Sequence, residues 1–360
     1  MKKTLKLIFS AIGILLVVFV VYFFTIKKLD QKVLELEVFS STNQSTAKAI
    51  LVPTKFIEGE RFYIKLPLST GDTILAFGDT GGGNTMLLPN TVEKKKLQSL
   101  QHLGLLKGIM PMHYVLFNDI VKDANFPQPN TMRAFIIRTP FARVTAPCLV
   151  IPPMDDELKF FAKSIPQMEA FLAQNFFLGK SWTIDYPKQQ IWVNTPLSAS
   201  DTSGAIIQKI GLKRNSHNQA VFGHASMVME VNGEKIDVLF DTGASFVLSE
   251  SGKKQFNTTN LTLGGSFIAA SIFEKWRKEH PEWKYYPKAD WANDIIEVPF
   301  VKIGNCEVGP ALFASRPDVN WSENMINSMD KVVKGAIGGS ALKYVKVTVD
   351  FNSELIKFEK

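Results

Sequence analysis

The sequence predicts a mostly β chain built from two duplicated lobes, with one apolar helix ahead of them. Three observations carry this. An uncharged run of twenty residues, Leu7 to Ile26, opens the chain. Short alternating runs broken by Gly and Pro fill most of the remainder. And one set of landmarks occurs twice, in the same order and at nearly constant spacing.

The apolar run includes Ile14-Leu15-Leu16-Val17-Val18-Phe19-Val20-Val21 and is flanked by lysines at both ends. A helix of that length matches a bilayer core of roughly 30 Å. Phe24-Thr25-Ile26-Lys27-Lys28 follows it where a secretory signal would carry a small-residue cleavage site. Residues 1–28 therefore read as an uncleaved transmembrane signal anchor. With the short N-terminal tail inside, residues 30–360 are exported to the periplasmic or extracellular side.

The chain has 360 residues, 46% of them hydrophobic and 21% charged, enough for two folded domains and unlike a disordered chain. Lys2, Lys3, Lys6, Lys27 and Lys28 account for five of the net +7, leaving +2 for the rest. That balance gives no support for nucleic acid as a partner. Residues 29–58 read as a juxtamembrane stalk, 59–196 as the first lobe, 197–206 as a polar linker and 207–360 as the second lobe. Met168–Gln174 and Ser271–Glu279 read as helical patches in an otherwise β-rich chain.

The duplicated landmarks begin with a hairpin. Phe62–Leu66 turns at Ser69-Thr70-Gly71 and returns through Ile74–Phe77 to Asp79-Thr80-Gly81. Met227–Val231 turns at Asn232-Gly233, a strong hairpin signal, and returns through Ile236–Phe240 to Asp241-Thr242-Gly243. Pro147 and Pro310 come next, then Leu178-Gly179 and Ile337-Gly338. Each lobe closes on an aspartate and a strand-like run, Thr183–Tyr186 with Ile191–Val193 and Val347–Phe351 with Leu355–Phe358. The offsets between the copies are 162, 162, 163 and 159 residues.

Two carboxylates brought close together cannot both ionise readily, so they share a proton and can act as acid and base on one water. Leu239-Phe240-Asp241-Thr242-Gly243-Ala244-Ser245, and Phe77-Gly78-Asp79-Thr80-Gly81-Gly82 in the first lobe, resemble the active-site motif of the pepsin and retropepsin aspartic proteases. The resemblance covers residues 60 to 360 and implies a bilobal pepsin-like fold of two retropepsin-like lobes.

It implies Asp79 and Asp241 as the catalytic dyad, with Thr80, Gly81, Thr242, Gly243 and Ser245 supporting it. Leu178-Gly179 and Ile337-Gly338 would be the hydrophobic-Gly elements beneath the two loops. Gly264-Gly265 and Tyr114 are candidates for the flap over the substrate. The reaction implied is endoproteolysis of a protein or peptide by a chain monomeric in catalysis, without metal or cofactor, and with a lipid bilayer contacted through residues 7–26. Two features depart from the family pattern: Gly78 stands where an apolar strand residue is usual, and Gly82-Gly83 makes the first loop glycine-rich. They motivate an alternative, a membrane-tethered peptide-binding module that cuts slowly or not at all.

Overall fold

Each lobe is organised around a hairpin that ends in an Asp-Thr-Gly loop. The computed structural model describes residues 12–24, 48–83, 85–102, 112–130, 138–139, 142–143, 147–198 and 206–360. In lobe one the sheet runs β2 (Thr54–Ile57), β3 (Arg61–Pro67), β4 (Thr73–Gly78), β11 (Ala170–Leu172), β5 (Met86–Leu87), β10 (Cys148–Ile151), β7 (Met112–Leu116), β6 (Leu100–His102). In lobe two it runs β20 (Lys284–Asp290), β21 (Asn293–Val298), β24 (Ala311–Arg316), β19 (Ser266–Ala269), β25 (Gly335–Ile337), β16 (Glu234–Phe240), β15 (Ser226–Val231). The edge strands β22 (Val301–Ile303) and β23 (Cys306–Val308) complete it.

Seven strands correspond when the two orders are read from opposite ends. The pairing directions agree as well. β4 is parallel to β11 as β16 is to β25, and β5 is parallel to β10 as β19 is to β24. Two-stranded ribbons, β8 (Arg138–Thr139) with β9 (Ala142–Arg143) and β17 (Ser245–Val247) with β18 (Thr262–Gly264), lie beside the main sheets. The Asn232-Gly233 turn adopts positive φ at both residues, 50° and 83°. Asn and Gly tolerate this, and the turn's twist suits the flanking strands.

A third sheet is shared. Its order is β1 (Ile50–Val52), β13 (Gln190–Val193), β12 (Ser181–Asp185), β26 (Lys346–Asp350), β27 (Leu355–Glu359), β14 (Ile207–Lys209). The two lobes meet at the β12–β26 pair, where Thr183 opposes Thr348 and their hydroxyls hydrogen-bond at 2.9 Å. Stepping outward, each half repeats the other, strand by strand.

Among the described residues the α-helices are α1 over residues 12–24, α2 (Pro89–Lys94), α3 (Phe117–Ile120), α4 (Asp156–Ser164), α5 (Gln174–Phe177), α6 (Glu250–Gln255), α7 (Ala270–Glu279) and α8 (Gly339–Leu342). α7 matches the expected patch at 271–279. The patch expected at Met168–Gln174 is instead β11, wedged between β4 and β5. Ala170-Phe171-Leu172 is buried throughout, and such a run lacks the alternation that marks a half-exposed strand.

Residues 50–57, read as stalk, form β1 and β2, because Val52 is drawn into the core and Thr54–Ile57 pairs with β3. The rest of the stalk to residue 47, and 199–205 of the linker, lie outside the described residues. So do 1–11 and 25–28 of the expected anchor. α1 itself is apolar and exposed, and no helix among the described residues is long and apolar enough to cross a membrane. Cys148 and Cys306 are unpaired.

A continuous core passes from lobe to lobe, holding Phe62, Trp182 and Ile184 together with Phe240, Phe313 and Val347. Trp182 is fully buried, packs on Phe176 and Phe177 with ring centroids 5.4 and 5.2 Å away, and donates its indole N–H to the Phe177 carbonyl at 2.9 Å. Truncating it to Ala is expected to cost about 3–5 kcal/mol, read as a large fall in the midpoint of denaturant unfolding. A loss below about 1 kcal/mol would contradict this packing.

Candidate active site

Each Asp-Thr-Gly aspartate leaves its hairpin strand and is caught by the strand running parallel to it. The Asp79 N–H donates to the Leu172 carbonyl at 2.9 Å, and the Asp241 N–H to the Ile337 carbonyl at 3.0 Å. Ile337-Gly338 is therefore set beneath its loop. Leu178-Gly179 is not: Leu178 lies in the core after α5, and Gly179, with φ 74°, faces the Asn130 side chain. The lobe-one equivalent is Leu172-Ala173, at an offset of 165. Ala173 donates its N–H to Thr85 Oγ1 just as Gly338 donates to Ser266 Oγ. An added Cβ at Gly338 would lie 2.4 Å from the Gly265 carbonyl, so lobe two needs glycine there.

Thr80 and Thr242 join the loops. The Thr80 N–H donates to Thr242 Oγ1 at 3.1 Å and the Thr242 N–H to Thr80 Oγ1 at 3.0 Å. Each hydroxyl then donates across the lobe boundary, Thr80 to the Phe240 carbonyl at 2.8 Å and Thr242 to the Gly78 carbonyl at 3.2 Å. Both threonines are buried. This reciprocal set satisfies both threonine N–H groups and both hydroxyls, and satisfied groups let a buried network rigidify rather than destabilise.

The carboxylates lie beside each other. A Cβ built on Gly81 would stand 2.5 Å from Asp241 Cγ, and one on Gly243 would stand 2.1 Å from Asp79 Cγ. Each loop's glycine thus backs the other loop's carboxylate, and any side chain would displace it. Asp79 Oδ1 accepts the Gly81 N–H at 2.8 Å, and Asp241 Oδ1 accepts the Gly243 N–H at 3.1 Å. Burial first, then the neighbouring Asp241 charge and hydrogen bond, push Asp79 well above the usual carboxylate range. Burial also raises Asp241, opposed by its bonds to Asp79 and to the N–H groups of Gly243, Ala244 and Gly81. Two carboxyl groups so close favour sharing one proton over ionising together.

The departures in lobe one have structural answers. A Cβ on Gly78 would lie 2.2 Å from the Phe62 ring, so Phe62 fills the space a larger residue would take. In lobe two the sizes are exchanged: Phe240 stands at the position of Gly78 and Ala225 at that of Phe62. A Cβ on Gly82 would meet the Phe171 ring at 2.5 Å. Ser245 supports the second loop, donating to the Gly243 carbonyl at 2.8 Å and accepting from Arg61 Nη1 at 3.2 Å.

Arg61 and His224 carry no sequence signal and were not anticipated. They occupy equivalent positions, Arg61 two residues before the Tyr63–Phe77 pair of β3 with β4 and His224 two before the Ser226–Leu239 pair of β15 with β16, and each reaches the opposite lobe. Arg61, 1% exposed, donates to Ser245, to Thr262 Oγ1 at 3.0 Å, to the Thr262 carbonyl and to Glu58. His224 Nε2 lies 3.2 Å from the Gly82 carbonyl.

Neither flap candidate at Gly264-Gly265 is a hairpin tip. Gly264 ends β18 against Glu60, and Gly265 sits under the second loop, donating its N–H to the Ala244 carbonyl at 2.9 Å and packing on Phe246. The close backing of the loop by these residues requires the absent side chains. Tyr114 lies on β7, half-buried, in the hairpin with β6 whose connection falls outside the described residues. Its lobe-two counterpart is the β20–β21 hairpin.

No family model matches the chain, and no curated protein matches its sequence. Among solved structures, it is similar to the aspartic proteinase from Irpex lacteus, at 12% identity and TM-score 0.42, over 87% of this chain and 97% of that one. It is also similar to conglutin gamma, a basic 7S globulin from lupine seeds, at 8% identity and TM-score 0.41, over 87% and 95%. A retropepsin-like aspartic protease from Rickettsia conorii aligns over 43% of this chain and 92% of its own, at 18% identity and TM-score 0.25.

The raised carboxyls have a consequence for stability. The folded chain binds the pair's proton more tightly than the unfolded chain does. That stabilisation is complete below the ordinary carboxylate range and is lost as pH rises through the folded-state value. Asp79→Asn, which cannot ionise, is expected to raise the unfolding temperature more at about pH 8 than at about pH 4. An equal shift at both values in thermal melts would show that the pair is not coupled by burial.

Proposed function

We propose that this chain is an aspartic endopeptidase, hydrolysing peptide bonds with a water activated by Asp79 and Asp241. The observation that carries the reading is the reciprocal Thr80–Thr242 network, which holds two carboxyl groups from separate lobes side by side. A pair so placed has one acid and one base on hand for a substrate lying between the lobes.

The ionised carboxylate takes a proton from the water as its oxygen attacks the scissile carbonyl carbon. The other carboxyl gives its proton to the carbonyl oxygen, forming a neutral gem-diol. The carboxyl that gained the water's proton then passes it to the peptide nitrogen. The C–N bond breaks, and the remaining carboxylate recovers a proton from the gem-diol as the new acid forms. No covalent bond to the protein is made. Both carboxylates come from one chain, so the proposed active species is the monomer.

The alternative of a binding module rested on a loosely held first loop. Gly81 and Gly82 are instead packed against Asp241 and Phe171, and the N–H and hydroxyl of the loop's threonine are both bonded to lobe two. These contacts favour the enzyme. Membrane anchoring belongs to the proposal as well, with the lobes on the exported side. It is supported by the apolar, exposed residues of α1 at one end of the longer uncharged run.

The test is cleavage of an unfolded protein substrate by the detergent-solubilised chain between about pH 3 and pH 8, with and without a statine-type inhibitor. Wild type is expected to cut and the inhibitor to block it. Asp79→Asn and Asp241→Asn are each expected to lose roughly 10²–10⁴-fold or more of the rate. Equal cleavage by all three proteins would undo the dyad assignment.

A further inference from the structure

The two catalytic loops are supported unequally. Loop two has the Ser245 hydroxyl, which closes back on the Gly243 carbonyl. It also has the Arg61 guanidinium from lobe one. At the position equivalent to Ser245, loop one has Gly83, which brings no side chain. Its neighbour Gly82 presents a carbonyl that accepts the Gln174 N–H at 3.3 Å and lies 3.2 Å from His224 Nε2.

That contact fixes the state of the imidazole. A carbonyl oxygen only accepts, so Nε2 carries the hydrogen. Nδ1 then carries the lone pair, and it is buried with no hydrogen-bond partner. A buried nitrogen of this kind is tolerable as a neutral acceptor and costly as a cation. Burial holds His224 below its ordinary pKa, with the carbonyls of Gly82 and Gly81 pulling the other way, so the ring is neutral at pH 7.

The ring is also held in place. His224 is 5% exposed and lies parallel to the Phe222 ring, 6.3 Å between centroids. The segment carrying it is docked on α5 of lobe one. The Gly223 N–H donates to Gln174 Oε1, and a Cβ on Gly223 would lie 2.6 Å from the Gln174 carbonyl. Gln174 in turn donates to the same Gly82 carbonyl. Lobe two thus reaches under the first loop at the one place where that loop lacks its own side-chain brace.

We infer that His224 is a positioning residue for Asp79, holding the glycine-rich first loop from the opposite lobe through its neutral Nε2–H. The assignment deepens the protease reading and rests on it for its catalytic consequence. The structural consequence stands by itself.

The experiment compares the full-length wild type with His224→Phe and His224→Gln. Phe keeps the ring's bulk without a donor, and the Gln amide brings an N–H to the same carbonyl. Amide hydrogen exchange of peptides covering 79–83 and 241–245 is read by mass spectrometry. His224→Phe is expected to speed exchange in 79–83 by about tenfold or more while 241–245 stays as in wild type, and His224→Gln to recover most of the protection. Where wild type cleaves substrate, His224→Phe is expected to lower kcat about tenfold with KM unchanged, the pattern of a misplaced catalytic group rather than lost substrate binding.

Unchanged exchange in 79–83 would overturn the inference. So would equal acceleration of both loops, or a Gln variant as fast as Phe. If wild type cleaves nothing, the protease reading fails on that result alone, and the exchange data still decide whether His224 braces the first loop.

Discussion

Two carboxyl groups forced together out of water repel once both are charged, and everything around them is arranged to hold them regardless. The Thr80–Thr242 exchange is the central restraint, because it ties the two loops to each other rather than each to its own lobe. The strands below supply the second. Leu172 and Ile337 catch the aspartate N–H groups by running parallel to the hairpin strands that lead into the loops. Glycines at 81 and 243 complete it, since nothing larger fits between a loop and the opposing carboxylate.

Around this centre the lobes are copies in topology but not in detail. The exchange of Gly78 and Phe62 for Phe240 and Ala225 keeps the filled volume while swapping which strand provides it. Volume-conserving changes of this kind are what a packed interior tolerates best. Arg61 and His224 show the same freedom in polar form. One position faces a hydroxyl-bearing loop and uses a guanidinium. The other faces a bare carbonyl and uses a neutral imidazole.

The sequence disclosed the duplicated lobes and the aspartate pair because both are local patterns: a turn, an apolar strand and a tripeptide at fixed spacing. The element beneath the first loop escapes a search for a hydrophobic-Gly pair, because lobe one has Ala173 there. The helical reading of Met168–Gln174 failed for a related reason. Ala170-Phe171-Leu172 is buried on both faces, and only its pairing with β4 and β5 makes it a strand. Gly264-Gly265 looked like a flap because glycines at that distance suit a tip, yet they are small to admit Phe246 and Glu60. Arg61 and His224 act on partners 184 and 142 residues away, and with different side chains at equivalent positions they leave no repeat to notice.

The shared six-stranded sheet has a consequence for the halves as separate objects. Its middle seam is an antiparallel pair with threonine opposite threonine, and each half contributes three strands in mirrored order. A lobe severed from its sister would bare the β12 or β26 edge, with unpaired backbone groups in a register that suits another copy of itself. Covalent linkage of the lobes satisfies that edge internally. It also frees the two halves from having to be identical, so that a guanidinium can stand on one side of the seam and an imidazole on the other.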